Sequence, residues 1–579
     1  MPPYPPLAYL PDRRFSLPRY PSVLLLLTLL LVLQPARTLA SEQNYRLVFG
    51  SFKIEENARG WAAHVQSLLH RPVMVMPVQA ADIAFYRVVS EPLAKESLAR
   101  LMLNARQREL NYWRLADLNL ITQDKPAAEV DDGPGSARTD SVTEVVEGAH
   151  GKEPGSVPAG VSTAAVEPAY PAQRTTDRSG FRNASADAPG ELDTDLALQS
   201  RGFARSGSHG QSSLDASISL QPEYHRAFAS GTDSMTFSAF LRYDSEDERR
   251  SHWDLRELYW NHTGADWEIR AGVQQVFWGV TEFRHLVDII NQTDLVEDID
   301  EEDKLGQPLI NLSLVRDWGI LDLFLLTGFR ERTFPGEEGR FRYPLPISEG
   351  RTTYASGAGE RRIDAAIRWT QVFGALELGV YQFSGTNRDP QLKPLQLSDG
   401  RWVLQPHYTV IDQTGIDAQY ILGDWAFKLE ALRRTGDGDP YMAFVAGFEK
   451  TQVGIFGSRS DLGLVAEYMY DERGDAAPNL YEHDLALGTR WRLNDISDSQ
   501  ALLGVIWDVQ THEAIYSLEA SRQIGDSWKL LLESRIFAGA ESPRWNSDLE
   551  RLASLVDTEN KSTPLQRDDY IQLELTRFF

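Results

Sequence analysis

The chain contains no cysteine among its 579 residues. Without a thiol it can form no disulfide, carry no lipid on an N-terminal cysteine and hold no cysteine-ligated metal. Basic residues are also in deficit, since 58 Lys and Arg stand against 83 Asp and Glu, for a formal net charge of -25. This deficit argues against nucleic acid as a partner, because phosphate backbones are bound by clustered Lys and Arg.

A long apolar run is also missing. The run Val23–Leu33 is about eleven residues, well short of the roughly twenty that a membrane-spanning helix needs. It follows three arginines between residues 13 and 19 and precedes the small residues of Thr38–Ala40, which is the layout of a secretory signal. We therefore expect residues 1–40 to be removed, and any membrane span to be made of strands.

Residues 43–117 have the pattern of a small β-α-β-β-α-β domain. Tyr45–Phe52 is rich in strand formers, and apolar residues then recur at helical spacing between residues 58 and 69. Strands are predicted next at Val73–Val78 and Phe85–Val89, followed by a second amphipathic helix and a closing strand. The domain therefore contains two copies of a half-repeat in which a strand is followed by a helix.

Two motifs in this region resemble SPOR domains, the sporulation-related repeats that bind septal peptidoglycan. The motifs are GSF followed by EENARGWAAHV, and FYRVVSEPLAKESLARLMLNA, which departs from the family where SEPL replaces its usual Gly-Pro-Phe. The resemblance implies a ferredoxin-like fold that binds glycan strands stripped of their peptide stems. Aromatic faces stack on sugars, and Arg or Ser hydrogen-bonds hydroxyl groups. The glycan-binding residues it implies are Phe49, Ser51, Phe52, Tyr86 and Arg87; alternatively, Phe49 and Tyr86 are core residues under the helices.

Residues 118–198 show no apolar periodicity. Ala, Pro, Gly, Ser, Thr, Asp and Glu dominate, which is the composition of a disordered linker. A flexible chain of this length has an end-to-end distance on the order of 50 Å. We expect this segment to let the N-terminal domain move through the periplasm beneath the barrel.

Residues 199–579 have the pattern of an antiparallel transmembrane β-barrel. Alternating runs are separated by Gly, Asp and Asn turns, and every Trp except Trp61 and Trp113 lies here, as aromatic girdles require. The recognisable runs, from Leu214–Tyr224 to Tyr570–Phe579, are odd in number. Because both ends of such a barrel lie on the periplasmic side, one more strand is expected near Ser200–Ser206. The prediction is about eighteen strands, with sixteen as the alternative.

The C-terminal residues YIQLELTRFF alternate apolar and polar side chains and end on Phe579. This segment resembles the C-terminal assembly signal that the barrel-insertion machinery of Gram-negative bacteria reads. The resemblance implies a location in the outer membrane and makes Leu573, Leu575 and Phe579 the signal residues. Arg577 departs from the pattern, but a rim arginine can extend to phosphate.

Charged side chains of both signs occupy predicted inward positions, so the barrel interior should be hydrated. A porin-like channel is the first interpretation. The alternatives are a plugged barrel, in which these charges pair with each other and with inserted loops, and a structural anchor between the outer membrane and peptidoglycan. The predicted lumen-lining residues are Lys428, Glu430, Glu467, Asp484, Arg490, Arg492, Lys529, Glu533 and Arg535.

The segment Trp278–Pro308 is a candidate constriction or site. Leu286, Ile289 and Ile290 are too apolar for a free surface loop, and carboxylates crowd residues 294–303. Divalent cations prefer such oxygen clusters, but the calcium-loop spacing is absent, so a metal site is one reading and a solvated acidic loop bridged to lipopolysaccharide is the other. The adjoining WDLRELYWNH and VQQVFWGVTE runs are loosely similar to alginate-export barrels, from which no transport residue is carried over.

An enzyme is not predicted. His483 with Asp484 and Asp471 is the best titratable group for an outer-membrane hydrolase, yet neighbours on a strand point to opposite faces, so His483 faces lipid if Asp484 faces water. No zinc-protease motif, phosphate-binding loop or dinucleotide fingerprint is present. We expect no catalytic residue, metal or cofactor; the expected partners are peptidoglycan glycan strands, outer-membrane lipid, lipopolysaccharide and the barrel-assembly machinery.

Overall fold

The computed structural model describes residues 45–52, 71–80, 83–91, 113–116, 190–228, 232–543, 545–555 and 561–579, with single positions at 59, 62, 65, 66 and 69. The predicted signal, residues 1–40, and most of the predicted linker lie outside these described residues. Within the part of the chain that is described, no helix is both long and apolar enough to cross a bilayer.

The N-terminal region forms a four-stranded antiparallel sheet. Its strands are β1 (Tyr45–Phe52), β2 (Val73–Ala80), β3 (Ile83–Ser90) and β4 (Trp113–Ala116). They lie in the order β2-β3-β1-β4, which is the order that a ferredoxin-like β-α-β-β-α-β plan produces. Leu47, Val88 and Val89 are fully buried. That this sheet belongs to a SPOR domain stays a prediction.

The strands of the C-terminal region alternate strongly in burial. They are β5 (Glu191–Phe203), β6 (Leu214–Phe228), β7 (Asp233–Asp244), β8 (Trp253–Thr263), β9 (Trp267–Gln274), β10 (Gln307–Arg316), β11 (Gly319–Leu326), β12 (Thr353–Tyr354), β13 (Asp364–Phe373), β14 (Leu376–Thr386), β15 (Gln391–Gln396), β16 (Trp402–Tyr408), β17 (Val410–Leu422), β18 (Trp425–Thr435), β19 (Tyr441–Gln452), β20 (Asp461–Asp471), β21 (His483–Arg492), β22 (Gln500–Asp508), β23 (Ala514–Ile524), β24 (Trp528–Ala538) and β25 (Tyr570–Phe578).

All of these strands except β12, β15 and β16 form one closed antiparallel barrel. The barrel closes where β25 pairs with β5, with Tyr570 opposite Phe203 and Phe578 opposite Asp195. The prediction of eighteen strands is therefore confirmed.

The outer surface of the barrel is apolar. Large apolar side chains at alternate strand positions are exposed, whereas the polar residues between them are buried toward the interior. Exposed aromatic side chains lie near the strand ends, among them Trp260, Trp318, Trp491 and Tyr243. The exposed aliphatic positions include Leu192, Leu198, Ile218, Leu220, Leu241, Ile310, Leu323, Leu325, Leu464, Leu487, Leu503, Ile536, Ile571 and Leu573.

The barrel begins at Glu191, not at residue 199 as the sequence predicted. The segment ELDTDLALQS resembles the polar linker in composition. Its polar residues Asp193 and Asp195 lie at inward-facing positions of the strand. Leu192 and Leu198, at 61% and 51% exposure, face outward on either side of them. Because of this composition, the sequence assigned residues 191–198, most of β5, to the linker.

Short turns and long loops lie at opposite ends of the barrel. Gly423-Asp424 and residues 525–527 make tight turns, and Gly423 has a φ of 60°, which favours glycine. The long connections, at residues 275–306, 327–363, 387–409 and 539–569, all lie at the other end. Both barrel termini are at the short-turn end, as predicted for a barrel whose termini lie in the periplasm.

The long loops pack into a common layer. Strands β12, β16 and β15 form a small sheet, and its core contains Phe334, Leu345, Ile347, Leu404 and also Leu295 from the 275–306 connection. Helix α1 (Asp548–Ser554) begins at the N-cap Ser547, whose side chain accepts from the Glu550 backbone N–H. Leu552 and Leu555 pack against this core. The layer is a packed unit, which the sequence did not predict.

Candidate channel constriction

The connection between β9 and β10, residues 275–306, folds into the barrel; we call it the inner loop. Trp278, Val287, Ile289 and Ile290 pack on inward residues of β10, β11, β13, β14 and β17. The prediction that Ile289 and Ile290 are too apolar for a free surface loop is confirmed, since their exposures are 3% and 0%. Burial of this apolar stretch fixes the base of the loop against one side of the barrel.

Two carboxylates on the adjoining part of the wall hold the turn of the inner loop. Glu430 on β18 accepts hydrogen bonds from the backbone N–H groups of Val280 (2.6 Å), Thr281 (2.9 Å) and Val287 (3.1 Å), and from the Thr281 hydroxyl. Glu467 on β20 accepts from the N–H groups of Glu282 and Phe283, at 2.7 and 3.0 Å. Both carboxylates, predicted to line the lumen, are covered by the loop backbone.

Phe283 occupies a notch in the same wall. Gly488 on β21 and Gly504 on β22 lie directly opposite each other in the strand pairing. A Cβ added at either glycine would lie 2.8 Å from the Phe283 ring. Any larger residue at these two positions would therefore displace the ring.

The acidic part of the inner loop is bound by inward-facing arginines. Asp294 pairs with Arg256 at 2.6 Å and Asp298 with Arg201 at 2.7 Å, while Arg242 pairs with Glu297 at 2.9 Å. Asp300 pairs with Arg535 at 2.8 Å. The reading of residues 294–303 as a solvated outer loop bridged to lipopolysaccharide is therefore wrong, because arginines from β5, β7, β8 and β24 draw the carboxylates into the barrel.

A cavity of about 910 Å³ remains between the inner loop and the wall formed by β19 to β24. Its lining includes the predicted residues Arg490, Arg492, Lys529 and Arg535. From the inner loop, Phe283, Arg284, His285 and Leu286 face the same space, as do Glu301 and Glu302. The cavity therefore carries charges of both signs on facing surfaces.

The other predicted inward residues are buried in pairs. Lys428 lies 3.4 Å from Glu449, Glu533 accepts from Tyr570 and Gln572, and Asp484 is 2% exposed and accepts from the His483 N–H. Of the arginines that bind the acidic part of the loop, the sequence interpretation included Arg535 but missed Arg201, Arg242 and Arg256. Their alternation with apolar residues on β5, β7 and β8 marks them as inward, but nothing local indicates their partners.

His483 faces outward, where its ring lies 3.1 Å from the Tyr468 hydroxyl. Asp484 points inward, so the two do not form one site. No group of three or more His, Asp or Glu that could hold a metal ion is found among the described residues.

The predicted assembly-signal residues Leu573 and Phe579 are exposed on the outer face, and the guanidinium of Arg577 lies 4.6 Å from the Phe579 ring centroid. Recognition by the assembly machinery stays a prediction.

The side chains of the five predicted glycan-binding residues lie outside the described part of the N-terminal sheet. The strand pairing places Ser51 opposite Arg87 and Phe52 opposite Tyr86. Their role stays a prediction.

No family model matches the chain, and no curated protein matches it. Among solved structures, it is similar to OpdO of Pseudomonas aeruginosa, at 11% identity over 67% of this chain and 96% of that one, with a TM-score of 0.39. A BenF-like porin from Pseudomonas fluorescens Pf-5 shows 9% identity over 67% and 98% of the two chains, with a TM-score of 0.40. Wzi of Escherichia coli, a carbohydrate-binding outer-membrane protein, shows 9% identity over 66% and 84%, with a TM-score of 0.38. TM-scores at this level do not establish a shared fold, so the architecture rests on the strand pairing.

Proposed function

We propose that the chain is a porin-like channel of the outer membrane, with its N-terminal domain in the periplasm. The observation that carries this proposal is the charged cavity of about 910 Å³ inside a closed barrel whose exterior is apolar. An apolar belt of this extent is unfavourable in water and suits a bilayer. A cavity lined by charged groups holds water, which small polar solutes can replace.

The plugged barrel is the competing interpretation, and part of its prediction is met because the inner loop covers Glu430 and Glu467. The loop does not fill the barrel, however. The wall that carries Arg490, Arg492 and Lys529 still borders the cavity. We therefore favour a constricted channel over a plug.

Ion conductance of the purified protein in planar bilayers tests the channel. A matched pair on β22 controls for insertion: Leu502 lines the cavity, and its neighbour Leu503 is exposed on the outer face. Leu502→Trp should lower the conductance because it narrows the cavity, whereas Leu503→Trp should not. A silent wild-type barrel, correctly folded and inserted, would overturn the channel and favour the anchor.

We further propose that the N-terminal domain tethers this channel to peptidoglycan. The resemblance to SPOR domains and the strand order β2-β3-β1-β4 support the tether. In the test, full-length protein in detergent is sedimented with peptidoglycan sacculi before and after amidase removes the stem peptides. A chain that starts at residue 118 is the control. Binding that rises after amidase and needs residues 43–117 supports the tether, and equal sedimentation of both chains contradicts it.

A further inference from the structure

We propose that Glu430 and Glu467 are positioning residues that hold the turn 280–287 of the inner loop against the barrel wall, and that this contact sets the size limit for solutes. We call the two carboxylates with this turn the latch. The inference rests on the proposed channel function and specifies which residues limit its width.

The latch consists of charge-assisted hydrogen bonds to backbone groups. All hydrogen bonds described for Glu430 and Glu467 come from the inner loop, and the two residues are 0% and 1% exposed. A buried carboxylate is costly unless N–H or O–H groups satisfy its oxygens. The turn and the two carboxylates therefore stabilise each other, and separating them requires water to enter.

Two further features fit the turn to this wall. Gly279 has a φ of 150°, and a Cβ there would lie 2.9 Å from Glu430 Oε1, so glycine permits the close approach. The N–H of Phe283 donates to Glu467, and the ring of the same residue lies in the Gly488–Gly504 notch. The hydrogen bonds and the ring therefore hold the same turn.

Release of the latch should move only part of the inner loop. Asp294, Glu297 and Asp298 remain paired with Arg256, Arg242 and Arg201 on the other side of the barrel. The residues that would move, Phe283 to Leu286, line the cavity. Glu282 also pairs with Arg490, and Arg284 donates to the Tyr481 carbonyl, so these two contacts must break as well when the turn moves. We therefore expect the cavity to widen while the barrel stays folded.

The test is the double variant Glu430→Gln/Glu467→Gln. Glutamine keeps the size of the side chain but has one acceptor oxygen, and its amide N–H groups face the loop N–H groups. The matched control is Glu268→Gln on β9, a carboxylate of 1% exposure whose ion pair is with Arg270 and not with the inner loop. In reconstituted liposomes the double variant should admit larger neutral sugars than the wild type, and the control should not.

A second readout does not depend on conduction. Because the chain has no cysteine, Val280→Cys introduces a single thiol in the turn. Its rate of modification by a charged thiosulfonate should rise at least about tenfold in the double variant, the factor expected when one charge-assisted hydrogen bond is lost. The rate should be unchanged in the Glu268→Gln background, and circular dichroism verifies that each barrel is folded.

The outcomes separate the latch from the proposed channel. Faster thiol modification with a larger size limit supports both. Faster modification in a barrel that does not conduct supports the latch and overturns the channel. An unchanged modification rate in a folded double variant overturns the latch, whatever the conductance.

Discussion

At the scale of single residues, His252 connects pH to the inner loop. Its Nε2 lies 3.3 Å from Asp294 Oδ2, and its Nδ1 lies 3.8 Å from Glu297 Oε1. Burial lowers the pKa of this imidazole, but the hydrogen bond to Asp294 and the charges of Asp294 and Glu297 outweigh burial and raise the pKa above its ordinary value of 6.5. The imidazolium therefore stabilises the docked acidic segment below pH 6.5, and this contribution is lost as pH rises through the raised pKa.

We predict that docking of residues 294–298 weakens as the pH rises above 6.5 and through the raised pKa of His252, and that His252→Gln abolishes most of this dependence. Hydrogen–deuterium exchange of these backbone amides, corrected for intrinsic rates, is the measurement. His262→Gln, at the other end of β8 and paired with Asp233, is the control and should retain the wild-type dependence. Equal pH dependence in the wild type and His252→Gln would contradict the prediction.

The residue-level partners of the inner loop could not be predicted from the sequence. The acidic run was evident, but its arginines lie on β5, β7, β8 and β24, and Arg201 is 97 positions from Asp298. Their proximity exists only when the barrel is closed. Because these arginines lie far from the acidic run in the sequence, the run was interpreted as solvent-exposed. In the structure it lies inside the barrel, where it pairs with arginines.

At the scale of elements, the layer formed by the long loops depends on one small apolar core. Leu404 on β16 is 0% exposed and packs with Phe334, Leu345 and Ile347, and with Leu295 of the inner loop. Loss of this side chain would leave a cavity between the small outer sheet and Leu295 of the inner loop. The cost of such a buried Leu→Ala change is about 2–5 kcal/mol.

We predict that Leu404→Ala increases proteolytic cleavage within residues 387–409 and leaves the barrel intact, since the barrel strands do not depend on this core. Limited proteolysis with mass spectrometry locates the cleavage, and heat-modifiable gel migration reports on the barrel. Lys393→Ala, on the exposed edge strand β15, is the control. Global unfolding of Leu404→Ala at the same temperature as its loops would contradict the independence of barrel and layer.

The elements themselves were largely predictable. Alternation with short Gly and Asp turns located the barrel strands, because a membrane strand must expose apolar side chains on one face. The outer sheet was missed because β15 reads QLKPLQ, with Pro394 in the strand, and its apolar cover comes from distant loops. The start of β5 was missed because inward carboxylates resemble linker composition.

At the scale of the whole molecule, the interior is strongly acidic. Asp193 on β5 lies opposite Glu223 on β6, which lies opposite Ser238 on β7, which in turn lies opposite Glu257 on β8. Within this row of carboxylates, Asp193 and Glu223 are directly opposed, and like charges in that arrangement repel each other. Inward carboxylates on β5 to β9 outnumber inward arginines: Glu191, Asp193, Asp195, Asp215, Glu223, Asp244, Asp254, Glu257 and Glu268 stand against Arg201, Arg242, Arg256 and Arg270.

We predict that the channel prefers cations, because Arg201, Arg242 and Arg256 are already paired with inner-loop carboxylates and cannot offset this row. The reversal potential in a potassium chloride gradient measures the preference. The triple variant Asp193→Asn/Glu223→Gln/Glu257→Gln should shift it toward zero, and Glu541→Gln in an outer loop should not. A preference for chloride in the wild type would contradict the prediction.

Of the predicted lumen residues, only those facing the cavity keep the environment that the sequence suggested. Arg492 and Lys529 border the cavity. Arg490 and Arg535 also line it, but they pair with Glu282 and Asp300 of the inner loop, and Glu430 and Glu467 lie under that loop. Strand alternation identifies the side of the wall that a residue faces. It does not show which inward positions a folded loop will cover.

The dispersed partners of the inner loop imply an order of events during biogenesis. Its contacts lie on strands from β5 at the start of the barrel to β24 near its end, including the Asp298–Arg201 and Asp300–Arg535 pairs. These surfaces face a common interior only after β25 has joined β5. We therefore expect the loop to complete its docking only after the seam has closed, so that a newly inserted barrel first has a wider lumen than the mature one.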